Sequence, residues 1–259
     1  MSTTRLSFVG QCFVRGYPEV ARTDTFPEVV RRRVRAERPG SRIPLAAGEF
    51  YHPAELPRAI RRTVGRADIL VIDVAAFFVA NAAQAVDMSA FPRGVQTVYD
   101  RVRHLRAAAN RMLDAYPRGR PWVQLIETNA IALTMGILRP LIRRYPRPTI
   151  AEYERILVDS VVEVRARGKS VVLQGPAGFN ADGTFPTYTS DAIQLFADVN
   201  ELAHRVGGRC EVPVVDRMAI VGVRGNAHFF CPGSIRYSKT GHRVTGEALA
   251  EMLLQGGLL

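Results

Sequence analysis

Lysine is nearly missing from this chain: of its 35 basic residues only Lys169 and Lys239 are lysines, and the other 33 are arginines. Such one-sidedness reads as a GC-rich coding bias. The formal charge of +11 is therefore weak ground for expecting a nucleic-acid partner. The arginines are scattered, with one run at Arg31, Arg32, Arg33 and Arg35 and pairs at Arg61–Arg62 and Arg143–Arg144. The run reads as a solvated helix face. No aromatic-interleaved basic stripe or zinc-finger spacing accompanies it, so no nucleic-acid partner is expected. Cysteine is scarce as well: Cys12, Cys210 and Cys231 make an odd count without a C-x-x-C pair, which excludes a disulfide framework and argues against a structural zinc. Long apolar runs are lacking. The longest, Ile69 to Val86, is interrupted by Asp73, Asn81 and Gln84, a poor match to the roughly 20 apolar residues of a bilayer span. MSTTRLSFVG offers no apolar secretory segment, so the expectation is a reducing cytoplasm with no membrane partner.

What is present is ample for a core: 47% of the 259 residues are hydrophobic, and no repeat or composition shift divides them, so a single domain over 1–259 is expected. Strand-like and helix-like stretches alternate. Strands are predicted at Leu6–Val9, Arg42–Ala47, Asp68–Val74, Ser170–Leu173 and Val212–Val215, with Trp122–Ile126 a strand or an extended connection. Helices are predicted at Phe26–Glu37, Pro57–Val64, from about Val95 to Leu113, from the N-cap Thr149 through Val161, at Asp191–Arg205 and at Gly241–Leu254, the last after a long loop. This alternation predicts a doubly wound parallel sheet in a three-layer α/β/α sandwich of flavodoxin-like topology. In such sheets ligands bind beyond the carboxyl ends of the strands. The loops opening at Gly10, Gly48, Ala75, Gly175 and Asp216 lie on that edge.

The first loop, Gly10–Gln11–Cys12–Phe13–Val14–Arg15–Gly16–Tyr17, lacks the spacing of a dinucleotide or P-loop fingerprint, so no nucleotide cofactor is expected. It offers a thiol at the tip of a turn. A cysteine opening a helix gains thiolate character from the exposed N–H groups, and the other reading is a small buried apolar residue.

FVGQC at Phe8–Cys12, AAG at Ala46–Gly48, VIDVAAFF at Val71–Phe78 and GSIRYSKTGHRVTGEALAEML at Gly233–Leu253 together resemble the SGNH (GDSL) hydrolases. The resemblance spans nearly the whole chain. Gly241–His242 is similar to the family's Gly-His turn into its terminal helix. It implies the family's α/β/α fold and places Cys12 where the family has its nucleophilic Ser, with Gln11 beside it. The oxyanion Gly corresponds to Gly48, the family's Asn to Phe77 and its Gly to Ala75. The catalytic Asp and His correspond to Gly233 and Arg236. Arg236 can hold a thiolate electrostatically but cannot shuttle its proton. An oxyanion would be met by the backbone N–H groups of Cys12 and Gly48.

These departures favour substrates with good leaving groups. The expected partner is a small-molecule or carrier-bound acyl compound, an ester or thioester, hydrolysed or transferred with Cys12 as nucleophile and no metal or cofactor. The alternatives are a non-hydrolytic cyclase, isomerase or transferase of specialised metabolism, and a non-catalytic ligand-binding relative. Candidates for the missing base are His228, Glu49 and Asp73, with Glu127 and Asn129 as further ones. Asp73 stands in an apolar strand and needs a partner if buried. His242 reads as structural. Phe13, Tyr17, Phe50, Tyr51, Phe77, Phe78, Phe229, Phe230 and Tyr237 either line an apolar pocket or fill the core.

Overall fold

A computed structural model describes residues 3–10, 14, 20–50, 52–74, 149–178, 192–224, 228–231 and 237–259. Five parallel strands run through them: β1 (Leu6–Gly10), β2 (Leu45–Glu49), β3 (Ile69–Asp73), β4 (Ser170–Gln174) and β5 (Val214–Val215). Their order in the sheet is β2-β1-β3-β4-β5, the doubly wound arrangement predicted. β3 is central and all five of its residues are buried, which is why it reads as an unbroken apolar run ending in one carboxylate.

Among the described residues the α-helices are α1 (Phe26–Glu37), α2 (Leu56–Thr63), α3 (Ile150–Ala166), α4 (Ala192–Cys210), α5 (Arg217–Arg224) and α6 (Lys239–Gln255). α1 packs on α6, and α2 and α4 both pack on α3, giving a layer on each side of the sheet. Phe8 of β1 meets Phe26 of α1 edge to face at 5.7 Å, so Phe8 and its alternates Leu6 and Gly10 face the α1/α6 layer. Val9 and Gly48 face α2. α3 begins as predicted at a capping box: Thr149 Oγ1 accepts the Glu152 N–H at 3.1 Å, and Glu152 Oε2 accepts the Thr149 N–H at 2.7 Å.

Of the boundaries that differ from the sequence reading, three have a clear physical cause. β2 starts at Leu45 rather than Arg42 and runs through Gly48 to Glu49, because Pro44 has no N–H and the stretch before it joins β1 only through the Arg42 and Pro44 carbonyls. α4 continues past Arg205 to Cys210. Its Gly207 does not end the helix; a Cβ there would come within 2.3 Å of Val214 Cγ2, so the glycine lets α4 lie close on β5. The long loop before the last helix contains α5, whose start is fixed by Asp216: Oδ1 accepts the Ala219 N–H at 2.8 Å, and Oδ2 meets His204 Nε2 at 2.9 Å. The predicted segments Val95–Leu113 and Trp122–Ile126 lie outside the described residues. Among the described residues no helix is long and apolar enough to cross a membrane.

Candidate functional site

The register of the parallel pairs lines up Glu49, Gly10, Asp73, Gln174 and Val215 across the carboxyl ends of the strands. Side chains of such a row share one face of the sheet. Since Gly48 faces α2, this row faces the α1/α6 layer. Three polar side chains, Glu49, Asp73 and Gln174, thus sit side by side at the edge where this fold class binds ligands.

Asp73 is 2% exposed and has the partner its position demands. Arg217, the first residue of α5 and only 1% exposed, donates from Nη2 to Asp73 Oδ1 and from Nε to the Gly175 carbonyl. Its guanidinium also lies over the Tyr237 ring, with Cζ 5.5 Å from the ring centroid. Arg217 therefore joins the end of β3, the end of β4 and the approach to α6. Its remaining nitrogen, Nη1, is buried without a hydrogen-bond partner among the described residues, and neither Oε1 nor Nε2 of the fully buried Gln174 has one there. Unsatisfied buried polar groups cost about 1–3 kcal/mol each, so three of them at one edge call for a cause.

Arg217 and Gln174 were not among the residues the sequence singled out. A usable signal exists for Arg217: an aspartate at the end of an apolar central strand requires a cation from a neighbouring carboxyl-edge loop, and Arg217 follows the next strand but one. Gln174 carries no such signal.

The other expected site residues are placed as follows. Gln11, Cys12, Phe77, Ala75, Gly233 and Arg236, and with them Glu127 and Asn129, lie outside the described residues. Glu49 ends β2 beside Gly10, half-buried. His228 is exposed, and its carbonyl accepts the Ser238 hydroxyl that caps α6. Gly48 lies within β2, where the Phe50 N–H donates to the Gly10 carbonyl. Alternation along a parallel ladder turns the Gly48 N–H to the same side, toward Phe8. That direction turns it into the β1–β2 ladder. The absence of a side chain has a packing cause instead: a Cβ on Gly48 would lie 2.9 Å from Thr63 Cγ2 of α2. Gly48→Ala is expected to destabilise the fold by about 1–3 kcal/mol through overpacking, seen as a lower urea midpoint with an unchanged slope. An unchanged midpoint would show that α2 has room to move.

The aromatic residues that are described fill the core. Phe50, Phe229, Phe230 and Tyr237 are each at most 4% exposed, and Tyr237 packs edge to face on Phe229 and Phe230 with centroids 4.9 and 5.7 Å apart. Tyr237 is thus a packing residue and the platform for Arg217. Phe13, Tyr17, Tyr51, Phe77 and Phe78 lie outside the described residues.

His242, read as structural, is fully buried. It stacks on Phe26 at 5.9 Å, and its Nδ1 accepts the Phe26 N–H at 3.2 Å, the first residue of α1. The ring is therefore neutral with its proton on Nε2. Burial, aided by the nearby Arg217 charge, pulls its pKa down to about 4. The unfolded chain takes up this proton near pH 6.5 and the folded chain only near pH 4. Stability is thus fully present above pH 6.5, falls as pH drops through that window and levels off below about 4. The loss amounts to about 3 kcal/mol. His242→Asn keeps an acceptor for the Phe26 N–H and is expected to flatten this part of the stability–pH curve in urea titrations. An unaltered slope between pH 6.5 and 4 in that variant would assign the acid sensitivity to other groups.

No protein-family model matches the sequence, and no curated protein is significantly similar to it. Solved structures do match. A lipase/acylhydrolase from Enterococcus faecalis superposes with a TM-score of 0.61 at 14% identity, covering 98% of this chain and 96% of that one. A lipolytic protein of the G-D-S-L family from Veillonella parvula gives 0.54 at 10% identity over 98% and 100% of the two chains. Axe2, an acetylxylan esterase from Geobacillus stearothermophilus, gives 0.54 at 12% identity over 96% and 93%. At such identities the likeness is one of fold, and with the strand order and carboxyl-edge row already described it gives this chain the α/β/α fold of the SGNH (GDSL) lipolytic proteins.

Proposed function

We propose that this protein is a divergent SGNH-type enzyme acting on an acyl small molecule, free or carrier-bound, with Cys12 as nucleophile in place of serine. One observation carries the reading most: β1 ends at Gly10 in the polar carboxyl-edge row, two residues before Cys12. The fold likeness to a lipase/acylhydrolase and an acetylxylan esterase supports the acyl class. In this reading the Cys12 thiolate attacks the acyl carbon, the carbonyl electron pair moves to oxygen, and its return expels the leaving thiolate. Water or an acceptor then releases the acyl group. With Arg236 at the family's His position, no proton is shuttled to the leaving group, so thioesters are favoured over esters and amides. Near-neutral iodoacetamide is expected to alkylate Cys12 selectively and to stop thioester turnover in step with labelling. Full turnover by the alkylated protein would overturn the reading.

The buried Asp73–Arg217 pair favours one second reading. A charged pair set at the ligand edge fits an enzyme that works by electrostatic means on the same pocket without hydrolysis. Such an enzyme keeps its activity when Cys12 is alanine and loses it on changes at Glu49, Asp73 or Arg236.

A further inference from the structure

We infer that the exposed arginine face of α2 is the docking surface for an acidic helix of the carrier that delivers the acyl group. The inference names the partner for the carrier-bound form of the reading proposed above and rests on that reading for the chemistry.

α2 stands apart from its neighbours in charge. Its sequence, LPRAIRRT, holds three arginines and no acid, and Arg66 follows in the next turn. Leu56, Ala59, Ile60 and Thr63 are buried. Arg58, Arg61 and Arg62, spaced at i, i+3 and i+4, thus share the opposite face, and all three are exposed, as is Arg66. None of the four is paired with a carboxylate of the described residues. Elsewhere arginines are answered: α1, α3, α4 and α6 each tie one to a carboxylate a turn away. A coding bias toward arginine supplies the residue to every helix and does not explain why α2 alone among these lacks the acids.

The surroundings do not neutralise this face. α2 packs on α3, whose acids are already engaged: Glu152 in its cap, Glu154 with Arg205, Asp159 with Arg155 and Glu163 with Arg167. Glu55, just before α2, accepts the His52 N–H in a cap of its own. Like charges a turn apart repel, and Arg58 lies in the first turn, where the helix dipole disfavours a cation. An anionic cover relieves both.

Position and spacing select the occupant. α2 follows the edge strand β2 and runs from the carboxyl edge back toward the start of β3. Its first turn, with Arg58, is therefore near the end of β1, where the Cys12 loop opens; Gly10 and Glu49 are register partners there. Arginines repeating every turn, about 5 Å along the axis, match carboxylates repeating on one face of a helix laid alongside. The face has no aromatic side chain to stack a base. It has no apolar side chain to enter a membrane either, since Val162 of α3 is the one exposed large hydrophobic among the described residues.

The test is fluorescence anisotropy with a labelled acyl carrier protein, an acidic helical domain, bearing hexanoyl on its arm through an unreactive amide. A variant with Arg58→Gln, Arg61→Gln and Arg62→Gln is expected to bind it at least roughly tenfold more weakly than the wild type at about 50 mM salt. The gap is expected to shrink to about twofold or less at about 300 mM. Arg32→Gln, Arg33→Gln and Arg35→Gln together remove the same charge from α1, on the other side of the sheet, and are expected to leave binding unchanged. No binding of the carrier, equal binding by the α2 variant, or an equal loss in the α1 variant would overturn the inference. So would tighter binding, through the same α2 arginines, of a single-stranded RNA oligonucleotide or of phosphatidylglycerol vesicles. Turnover of free hexanoyl-N-acetylcysteamine thioester is expected to be the same in the wild type and the α2 variant. Binding needs no turnover, so the two readings separate. Carrier binding that depends on α2, without thioester turnover, sinks the acyl-enzyme reading alone, whereas turnover of the free thioester with no loss of carrier binding in the α2 variant sinks this one alone.

Discussion

Cys12→Ala is expected to lower thioester turnover by roughly a thousandfold or more while leaving the urea midpoint where it was. The expectation follows from what the sequence keeps and what it has given up. A serine at this position would need a base to be useful at neutral pH, and the resemblance to the SGNH hydrolases puts Arg236 where that family has its His. A thiol supplies part of its thiolate unaided and more beside a cation, so the substitution of Cys for Ser and of Arg for His belong together. With the Gly48 N–H turned into the β1–β2 ladder, the proposed acyl-enzyme reading has one backbone donor fewer for its oxyanion than the SGNH resemblance implies. A missing donor costs about 3–4 kcal/mol in comparable sites. That deficit points again to substrates whose leaving group departs readily. The measurement is kcat/KM for a thioester and its oxygen ester, before and after the substitution. Thioester turnover retained at the wild-type rate would remove Cys12 from the chemistry and leave the non-hydrolytic reading in its place.

The structure changes how variants at Asp73 should be read. From the sequence, Asp73 is a candidate base, and loss of activity in Asp73→Asn would count in its favour. In the fold, Asp73 holds Arg217, and Arg217 holds the Gly175 carbonyl and lies over Tyr237. Loss of activity in that variant alone therefore cannot distinguish a base from an anchor. Glu49→Gln is the cleaner test of a carboxylate at this edge, because Glu49 ends an edge strand and is only half-buried.

The strands and most helices were legible because their signals are local. β3 is a run of apolar residues, Thr149 and Glu152 form a capping box, and α1 was bounded to the residue by Phe26 and Pro39–Gly40. What was not legible depends on contacts distant in sequence. Gly207 looks like a helix stop and is a point of close approach to β5; Gly48 looks like a loop glycine and is a strand glycine under α2. The site was legible to the extent of its edge and of Asp73's need for a partner. The partner lies 144 residues further on, in a short apolar helix that reads as loop, and nothing in the local sequence of Gln174 marks it as buried.

Arg217→Met is expected to destabilise the protein by about 3–5 kcal/mol, because it removes the guanidinium that pairs with the buried Asp73 carboxylate. Single domains are stable by about 5–15 kcal/mol in all, so the variant should unfold at a much lower urea concentration. Part of the loss comes from the Tyr237 ring, which no longer has a cation over it. The attribution can be separated by a double-mutant cycle. Asp73→Leu with Arg217→Met removes both charges, and apolar replacements of a buried pair are often neutral or stabilising by about 1–4 kcal/mol. The double variant is therefore expected to recover most of what Arg217→Met loses, giving a coupling energy well above the range of contacts that merely touch. A loss under about 1 kcal/mol in Arg217→Met would show that the pair is solvated and not a buried anchor. The recovered double variant also decides what the pair is for. If it folds as well as the wild type yet has lost activity, then the pair is dispensable for stability, and its place at the carboxyl edge is explained by function rather than by folding.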